Sequence, residues 1–269
     1  MSDETPFDPE GGPTTPDRIA GDLRALGVAP DDLLLVHSSL SALGWVPGGA
    51  QGAVEGLRAA VPDGTLVVPT HSTGLSDPSG WENPPIPESW HDTVRAETPA
   101  YRPDATPTRG MGAIPDCLRD YDDAVRSDHP HYSFAALGPA AEAVTAGHAL
   151  DFGLGEDSPL AAVYERGGRV LVLGCDRGRN TSLHLAEHRS EVALDTVESG
   201  APVVHDGTRE WVTFEALDVD DGDFADCAAA FERERPDAVS TGTVGEAEAV
   251  LYDQPVLVDF AAAWLAENR

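Results

Sequence analysis

Lysine is missing from this 269-residue chain, so all 17 of its basic residues are arginine. They face 47 acidic residues, which leaves a formal net charge of −30 at pH 7. Proteins that bind nucleic acids neutralise phosphates with clustered lysine and arginine, and the sequence contains no basic run of that kind. The composition therefore disfavours nucleic acid as a partner.

Cysteine is also scarce. Cys117, Cys175 and Cys227 are odd in number and far apart, so the sequence shows neither a zinc-binding spacing nor a disulfide framework. No apolar run approaches the length of a membrane span, and the acidic start MSDETPFDPEGG lacks the apolar core of a signal peptide. We expect a cytoplasmic protein that makes no contact with a membrane.

Two explanations of the negative charge stay open. The first is a halophilic adaptation of the whole surface to a salty cytoplasm, because at about 1 M salt the Debye length is only about 3 Å and self-repulsion is muted. The second is an acidic cleft for a cationic substrate. We favour the first explanation, which predicts a fold that loosens at low salt.

Apolar runs alternate with amphipathic stretches along the chain. The runs LLLV, TLVVP and RVLVLG, at residues 33–36, 65–69 and 169–174, are typical of strands buried on both faces. Helices are predicted after the Thr-Pro pair at residues 15–16 and after the Gly-Gly turn at residues 48–49. This alternation predicts an α/β fold in which helices cover both faces of a mainly parallel or mixed sheet.

The remaining segments are less regular. Residues 70–115 are dense in proline and polar side chains, with scattered aromatics that argue for order, and so long a connection is usually functional or disordered. Residues 201–226 are predicted to be β-rich around a turn at VVHDG, and the end of the chain to be a strand or short helix. Residues 1–13 are predicted to be a disordered tail. No internal repeat or linker is visible, so we assign residues 14–269 to one domain.

The string HLAEH at residues 184–188 matches H-x-x-E-H, the pattern of inverted zinc proteases. On a helix, His184 and His188 would lie on one face, as two metal ligands require, and Glu187 would be the general base. A third ligand is needed, for which Glu246 and Glu248 are candidates among many acidic residues. A zinc hydrolase is therefore one alternative.

His184 has a second interpretation. It follows the predicted strand VLVLG and lies in the first turn of a helix if Asn180 or Thr181 is the N-cap. Active sites of α/β proteins gather at the carboxyl ends of parallel strands. Because the positive end of a helix dipole disfavours an imidazolium ring, a histidine at such a position can accept a proton. A buried, hydrogen-bonded structural histidine is the competing interpretation.

Several stretches together resemble the aminoglycoside N(3)-acetyltransferase family, which is distinct from the GNAT acetyltransferases. They occur in the expected order and span most of the chain. The stretches are LLLVHSSLSALGWVPGG (33–49), GTLVVPTHS (64–72), RSDHPHYSFAALG (126–138), SPLAAVYERGGRVLVLG (158–174) and NTSLHLAEHRS (180–190).

The resemblance implies a three-layer α/β/α sandwich with a β-rich C-terminal part, and transfer of an acetyl group from acetyl-CoA to a substrate amine. The family's catalytic histidine falls at His184, and its acidic partner at Asp218, with Glu215 as a neighbouring alternative. Glu187 would then hold the site loop, and His188 would complete the zinc pattern by coincidence, so no metal is implied. The resemblance also implies contacts with coenzyme A from Ser38, Ser39, Leu40, Ser41, Arg126, Ser127, His129 and Ser133.

By the same resemblance, the acceptor is the 3-amino group of an aminoglycoside, and the activity would bear on antibiotic resistance. Residues 70–115 could form an acidic, aromatic wall for a polycation, or they could pack internally or serve a homodimer. The side chains of that wall would be Asp77, Trp81, Glu82, Glu88 and Asp92. A non-catalytic CoA-binding relative is the third alternative.

Overall fold

The computed structural model describes residues 11–82 and 84–269. Most of the predicted disordered tail, residues 1–13, therefore lies outside the described residues. Within the described part of the chain, no helix combines the length and the apolar character that crossing a bilayer requires.

The first helix begins and ends where its sequence specifies. The Thr15 side chain accepts a hydrogen bond from the backbone N–H of Arg18, and Pro16 occupies the first turn, where its missing N–H costs nothing. The helix ends at Gly27, whose φ of 108° lies in the left-handed region that glycine adopts without a steric penalty. These capping signals account for the agreement between the predicted and the observed helix.

The described residues form two sheets. Their strands are β1 (Leu33–Ser38), β2 (Thr65–Pro69), β3 (Ala124–Arg126), β4 (Phe134–Leu137), β5 (Arg169–Leu173), β6 (Thr196–His205), β7 (Thr208–Leu217), β8 (Val239–Val244) and β9 (Ala247–Asp253). In this described part, the larger sheet has seven strands in the order β3-β4-β2-β1-β5-β9-β8, and β6 and β7 form a separate hairpin.

The three central strands of the larger sheet are parallel, because β1 pairs with β2 on one side and with β5 on the other. The outer strands β3, β4, β8 and β9 all pair in the antiparallel sense. The sheet is therefore mixed. The three predicted apolar runs form the central strands, whose interior positions are buried on both faces, so their sequences are continuously apolar rather than alternating.

Helices cover both faces of the sheet. They are α1 (Pro16–Leu26), α2 (Ala50–Ala60), α3 (His91–Glu97), α4 (Ala113–Leu118), α5 (Ala141–Thr145), α6 (Pro159–Glu165), α7 (Ser182–Arg189), α8 (Phe224–Glu234) and α9 (Gln254–Asn268). One apolar core lies between the sheet and α1, α2 and α4, and a second lies between the sheet and α5 to α9, apart from the hairpin. This is the predicted three-layer α/β/α arrangement.

The β6–β7 hairpin accounts for the predicted β-rich part. Its two-residue turn at Asp206 and Gly207 has positive φ at both positions, 49° and 76°, which is the geometry of a tight hairpin turn. The hairpin packs against the long segment 70–115, since the Tyr101 N–H donates to the Pro202 carbonyl and Arg209 donates to the Thr98 carbonyl. The segment is thus ordered by contacts with the hairpin and by short helical turns, as its aromatics suggested.

Candidate active site

A cleft of about 540 Å³ opens at the carboxyl ends of the three parallel strands. His37 and Ser38 end β1, Pro69 ends β2, and Cys175 follows β5, and all four residues line the cleft. Ligands of open α/β sheets bind at this edge of the sheet, because the loops that leave the parallel strands diverge there. The topology therefore assigns the cleft as the candidate site.

One wall of the cleft is the segment after β1 that the resemblance implies for coenzyme A. Ser38, Ser39, Leu40 and Ser41 all line the cleft. The hydroxyls of Ser39 and Ser41 lie 3.2 Å apart, and the Ser39 N–H donates to the carbonyl of Leu173 in β5. The Ser38 hydroxyl is buried and has no hydrogen-bond partner among the described residues.

The helix α7 starts at this cleft and carries His184, which is not itself part of the lining. Its N-cap position is Thr181, which lines the cleft, and the Asn180 carboxamide oxygen accepts from the backbone N–H of Ser182. Both predicted capping residues therefore take part in starting the helix. His184 lies in the first turn, three residues after Thr181, as predicted.

The His184 ring is held by a carboxylate of its own helix. Its Nδ1 lies 2.6 Å from Oε2 of Glu187, three residues later and therefore one helical turn away on the same face. The Glu187 side chain is fully buried, whereas 16% of the His184 side chain is exposed. With Nδ1 committed to Glu187, Nε2 is the nitrogen of this ring that remains available for a substrate proton.

The other oxygen of Glu187 is bound as well. Oε1 accepts the backbone N–H of Asp220 at 3.0 Å and a guanidinium N–H of Arg269 at 2.5 Å. Burial alone would raise the pKa of Glu187, but the hydrogen bond and charge of His184 and the hydrogen bond of Arg269 outweigh burial and lower that pKa. Glu187 is therefore an ionised, fully coordinated carboxylate beneath the histidine.

Two buried histidines, His37 and His71, lie near His184 and are neutral. Burial, followed by the nearby His184, lowers the pKa of His37 to about 3 and that of His71 to about 3. His37 Nε2 accepts a hydrogen bond from the Thr181 N–H at 3.4 Å, which requires an unprotonated nitrogen. These two rings stay neutral at physiological pH. Of the three histidines, His184 is the one that is partly exposed and lies next to a carboxylate.

Neither of the two acidic residues predicted as partners forms a hydrogen bond or ion pair with His184 among the described residues. Glu215 lies within β7 and Asp218 directly follows its last residue, and both are exposed. The Asp218 N–H donates to the Asp195 carbonyl, and the Glu215 N–H donates to the Asp151 carboxylate. The described residues thus bring His184 together with Glu187, which we had expected only to hold the site loop. Glu187 does both, because it also binds the loop at Asp220.

The second predicted coenzyme A segment is occupied by internal hydrogen bonds. The Arg126 guanidinium donates to the hydroxyls of Thr70 and Ser133 and to the carbonyls of Thr70, Pro103 and Thr106. All of its donor nitrogens are therefore used within the protein. Unlike residues 38–41, Arg126 is not part of the lining of the cleft.

Ser127, His129 and Ser133 are likewise buried and bonded inside the fold. The Ser127 hydroxyl accepts from the Phe134 N–H, and the Ser133 hydroxyl donates to the Thr70 carbonyl. His129 Nδ1 accepts two backbone N–H groups, and burial followed by neighbouring histidines lowers its pKa to about 2. These residues support the loop behind the cleft rather than its wall.

The zinc pattern does not assemble as a metal site in the described residues. No group of three or more His, Cys, Asp or Glu side chains in residues 11–82 and 84–269 is arranged to hold a metal ion. His184 uses Nδ1 for Glu187, and His188 packs edge-on against the Phe152 ring at 6.0 Å. Burial lowers the pKa of His188.

Part of the predicted acidic wall is used within the protein. Both carboxylate oxygens of Asp77 accept from Arg95, at 2.8 and 2.9 Å, and Asp92 accepts from the same guanidinium at 3.1 Å. Hydrogen bonds from Arg95 hold the pKa of Asp77 below its ordinary value. These two carboxylates therefore order the segment by pairing with an arginine.

The sequence did not single out several residues of the cleft. Arg179 and Thr181 line it from the segment before α7, and residues 110–113 line it from the end of the long connection. What these residues share is a position just after a strand or just before a helix. The sequence shows that position, but only the order of the strands in the sheet shows that the residues lie close together. The Arg179 N–H donates to the Asp176 carbonyl, but its guanidinium forms no hydrogen bond or ion pair with the described residues, unlike that of Arg126.

The sequence profile described as Aminoglycoside 3-N-acetyltransferase matches residues 35–266. The chain belongs to the aminoglycoside 3-N-acetyltransferase family. This is a family of acyltransferases, so the resemblance stated from the sequence motifs is confirmed.

Two curated relatives illustrate the similarity. The SPbeta prophage-derived aminoglycoside N(3')-acetyltransferase-like protein YokD of Bacillus subtilis (strain 168) is 42% identical over 95% of this chain and 94% of its own length. Aminoglycoside N(3)-acetyltransferase VII of Streptomyces paromomycinus is 39% identical over 96% of this chain and 93% of its own length.

Solved structures share the fold at similar coverage. The crystal structure of YokD matches with a TM-score of 0.93 over 96% of this chain and 95% of that chain, at 42% identity. AAC-IIIb, solved as a binary complex with CoASH, matches with a TM-score of 0.84 and 31% identity over 95% of this chain and 97% of that one. AAC-VIa bound to sisomicin matches with a TM-score of 0.85 and 29% identity over 96% and 99%. These matches confirm the α/β fold.

Proposed function

We propose that this protein transfers the acetyl group of acetyl-CoA to an amino group of an aminoglycoside-like substrate, with His184 as the general base. The observation that carries the proposal is the 2.6 Å contact between His184 Nδ1 and the buried carboxylate of Glu187, on the helix that starts at a cleft on the carboxyl edge of the sheet. Membership of the family and the CoASH bound to AAC-IIIb support the choice of co-substrate.

The chemistry follows from this pair. An amine near neutral pH is mostly protonated and must lose a proton to attack the thioester carbonyl carbon. That first proton passes to solvent. The Nε2 of His184 then takes a second proton from the amine nitrogen as the N–C bond forms, and the breaking C–S bond leaves the thiolate of CoA, which the imidazolium reprotonates. Glu187 accepts from Nδ1–H, which fixes the tautomer and stabilises the imidazolium. A placed general base contributes about 10²- to 10⁴-fold.

Residues 38–41 are proposed to contact coenzyme A along the cleft wall. The unpartnered Ser38 hydroxyl supplies a donor inside the cleft. For the phosphates, the free guanidinium of Arg179 is a better candidate than Arg126, whose donors are all used internally. A cation at this point matters because a chain with net charge −30 otherwise repels a polyanionic co-substrate.

The acceptor is proposed to be cationic. A formal charge of −30 attracts polyamines such as aminoglycosides and raises their local concentration, although molar salt screens this attraction. AAC-VIa was solved with sisomicin bound, which supports an aminoglycoside as the substrate class. Acetylation of such a compound removes a positive charge, and antibiotic resistance is the proposed consequence.

The test is release of free thiol from acetyl-CoA, measured in molar KCl with a panel of aminoglycosides and simple amines. We expect thiol release with at least one aminoglycoside. His184→Ala should lower kcat/KM by about 10²- to 10⁴-fold. His188→Ala is the matched control on the same helix and should retain most of the activity, because His188 contacts Phe152 rather than the cleft.

Two results would contradict the proposal. If no amine in the panel releases thiol, the chain is not an N-acetyltransferase for these acceptors. If His184→Ala retains full activity while folding normally, another group is the base. Stoichiometric zinc that is lost on His188→Ala would instead support the hydrolase alternative.

A further inference from the structure

Arg269 reaches from the end of α9 to the base of the active-site helix. One of its guanidinium nitrogens donates to Oε1 of Glu187 at 2.5 Å, and two others donate to the carboxylate of Asp223 at 2.5 and 2.8 Å. The guanidinium also donates to the Asp220 carbonyl and lies 5.8 Å from the ring centroid of Phe224. Only 14% of this side chain is exposed. The arrangement is a bidentate pair extended by a third contact, the geometry for which arginine is suited.

The positive charge of Arg269 compensates the buried negative charge of Glu187. Glu187 is fully buried, and a buried carboxylate without a compensating cation is costly. His184 supplies positive charge only when it is protonated, which in the proposed mechanism occurs only during the transfer. Arg269 is charged throughout, so it stabilises the ionised carboxylate in the resting enzyme. Burial would raise the pKa of Glu187, and the bonds from His184 and Arg269 reverse that effect.

The geometry of the carboxylate makes the contact directional. Glu187 is planar, and its Oε1 is fixed by two donors, the Asp220 N–H and Arg269. Fixing one oxygen fixes the other, so Oε2 is presented to His184 Nδ1. We infer that Arg269 is a positioning residue of the catalytic pair, acting on His184 through Glu187. This inference rests on the proposed function, because His184 is the base in that proposal.

The electrostatic consequence has a definite sign. Around Glu187 the charged and titratable groups are His184 and His188 on α7, Asp223 before α8, and Arg269, while His37 and His71 face His184 from the strand ends. The two inner histidines are neutral above about pH 4. Removing the Arg269 charge leaves Glu187 and Asp223 uncompensated, which favours the imidazolium form of His184. Activity should then fall at a higher pH on the acid side.

The experiment compares Arg269→Gln, Arg269→Lys and the control Arg189→Gln in full kcat and KM profiles against pH. Arg189 lies on the same helix as Glu187 and forms a bidentate pair with Glu156, at 2.7 and 2.8 Å, rather than with Glu187. Arg269→Gln should lower kcat roughly tenfold, change the KM for acetyl-CoA little, and move the acid-side midpoint up by about half a pH unit or more. Arg269→Lys keeps the charge without the planar fork and should restore most of the midpoint. Arg189→Gln should match the wild type in kcat and in the acid-side midpoint.

The acid-side midpoint separates positioning from a merely structural role. If Arg269→Gln melts like the wild type and keeps the wild-type kcat and midpoint, the inference is wrong. If it loses activity with an unchanged midpoint, and lysine restores nothing, Arg269 only stabilises the fold and the inference is also wrong. Should the wild type acetylate no amine, proton uptake by His184 can still be followed by NMR, with the ring resonance assigned from His184→Gln. An upward midpoint in Arg269→Gln would then support the coupling although the proposed function had failed, and an unchanged one would overturn both.

Discussion

Mild acid should unfold this protein before most of its carboxylates titrate, because five of its histidines are buried as neutral rings. His37, His71, His129, His131 and His148 are each at most 9% exposed. Burial is the largest cause of a lowered pKa in all five, to about 3, 3, 2, 4 and 4 respectively. Two of them, His71 and His131, keep a buried Nε2 without a partner among the described residues, so protonation there would create an unpaired buried charge.

The sign and size of the change in unfolding free energy with pH follow from proton linkage. An unfolded histidine has a pKa near 6.5, so the unfolded chain takes up protons below that pH, whereas the folded chain does not until about pH 4. Stability from these groups is therefore fully present above about pH 6.5 and is lost as the pH falls. Each histidine contributes about 1.4 kcal/mol per pH unit, so the five together approach about 7 kcal/mol per pH unit. At about pH 5 the loss is on the order of 10 kcal/mol, which is comparable with the whole stability of a typical domain.

The assay is chemical denaturation at a series of pH values from about 7.5 to about 5.5, in molar KCl. The salt is necessary because acidification also reduces the self-repulsion of a highly acidic chain, a stabilising effect that screening removes. His148→Gln should reduce the slope of unfolding free energy against pH by an amount that approaches about 1.4 kcal/mol per pH unit at the acid end of this range, whatever it does to stability at neutral pH. His205→Gln is the control, because that side chain is 68% exposed.

The slope decides whether the reasoning holds. A stability that is flat between about pH 7 and about pH 5.5 would show that the buried rings exchange protons without unfolding. A His148→Gln slope equal to that of the wild type would show that His148 is not one of the groups responsible. An equal reduction by His205→Gln would point to surface charge instead.

Two further predictions concern charge. If the negative charge is a halophilic adaptation, the melting temperature should rise steadily from millimolar to molar KCl, and an unchanged melting temperature would contradict that explanation. If Arg179 binds a phosphate of coenzyme A, Arg179→Gln should raise the KM for acetyl-CoA roughly tenfold with little change in kcat, because a lost charge-assisted hydrogen bond costs about 1.5–3 kcal/mol. Arg166→Gln, which removes an exposed guanidinium bonded to the Ala162 carbonyl, should leave that KM unchanged; equal effects in the two variants would assign the change to net charge.

The centre of the fold could be predicted because its strands are buried on both faces. TLVVP is β2 with the bounds the sequence indicated, and LLLV and RVLVLG lie in β1 and β5. The flanks could not be predicted in the same way. β3 is only three residues long, and the edge strand β8, VSTGTV, is largely exposed, so neither carries an apolar run. Their pairing depends on partners, β4 and β9, that are distant from the central strands in sequence.

The site divides along a similar line, between what a helical turn determines and what only the tertiary fold determines. His184 could be located because a strand end and a helix start are both readable from the sequence. Its bond to Glu187 was within reach of the same reasoning, since residues three apart on a helix are neighbours. The resemblance to the family led instead to Glu215 and Asp218, at the end of the hairpin, which the structure leaves exposed.

Arg269 lies beyond local inference, because 82 residues separate it from Glu187 and nothing in the sequence around either residue predicts the contact. The sequence could, however, have indicated that Glu187 requires a cation beside it. A carboxylate between apolar positions of a buried helix face requires a permanent cation, and this chain has only arginine to supply one. Of the arginines among the described residues, the one that meets this need comes from α9, which packs against α7. The contact between these two helices therefore fixes the charge on Glu187 as well as burying the apolar core between them.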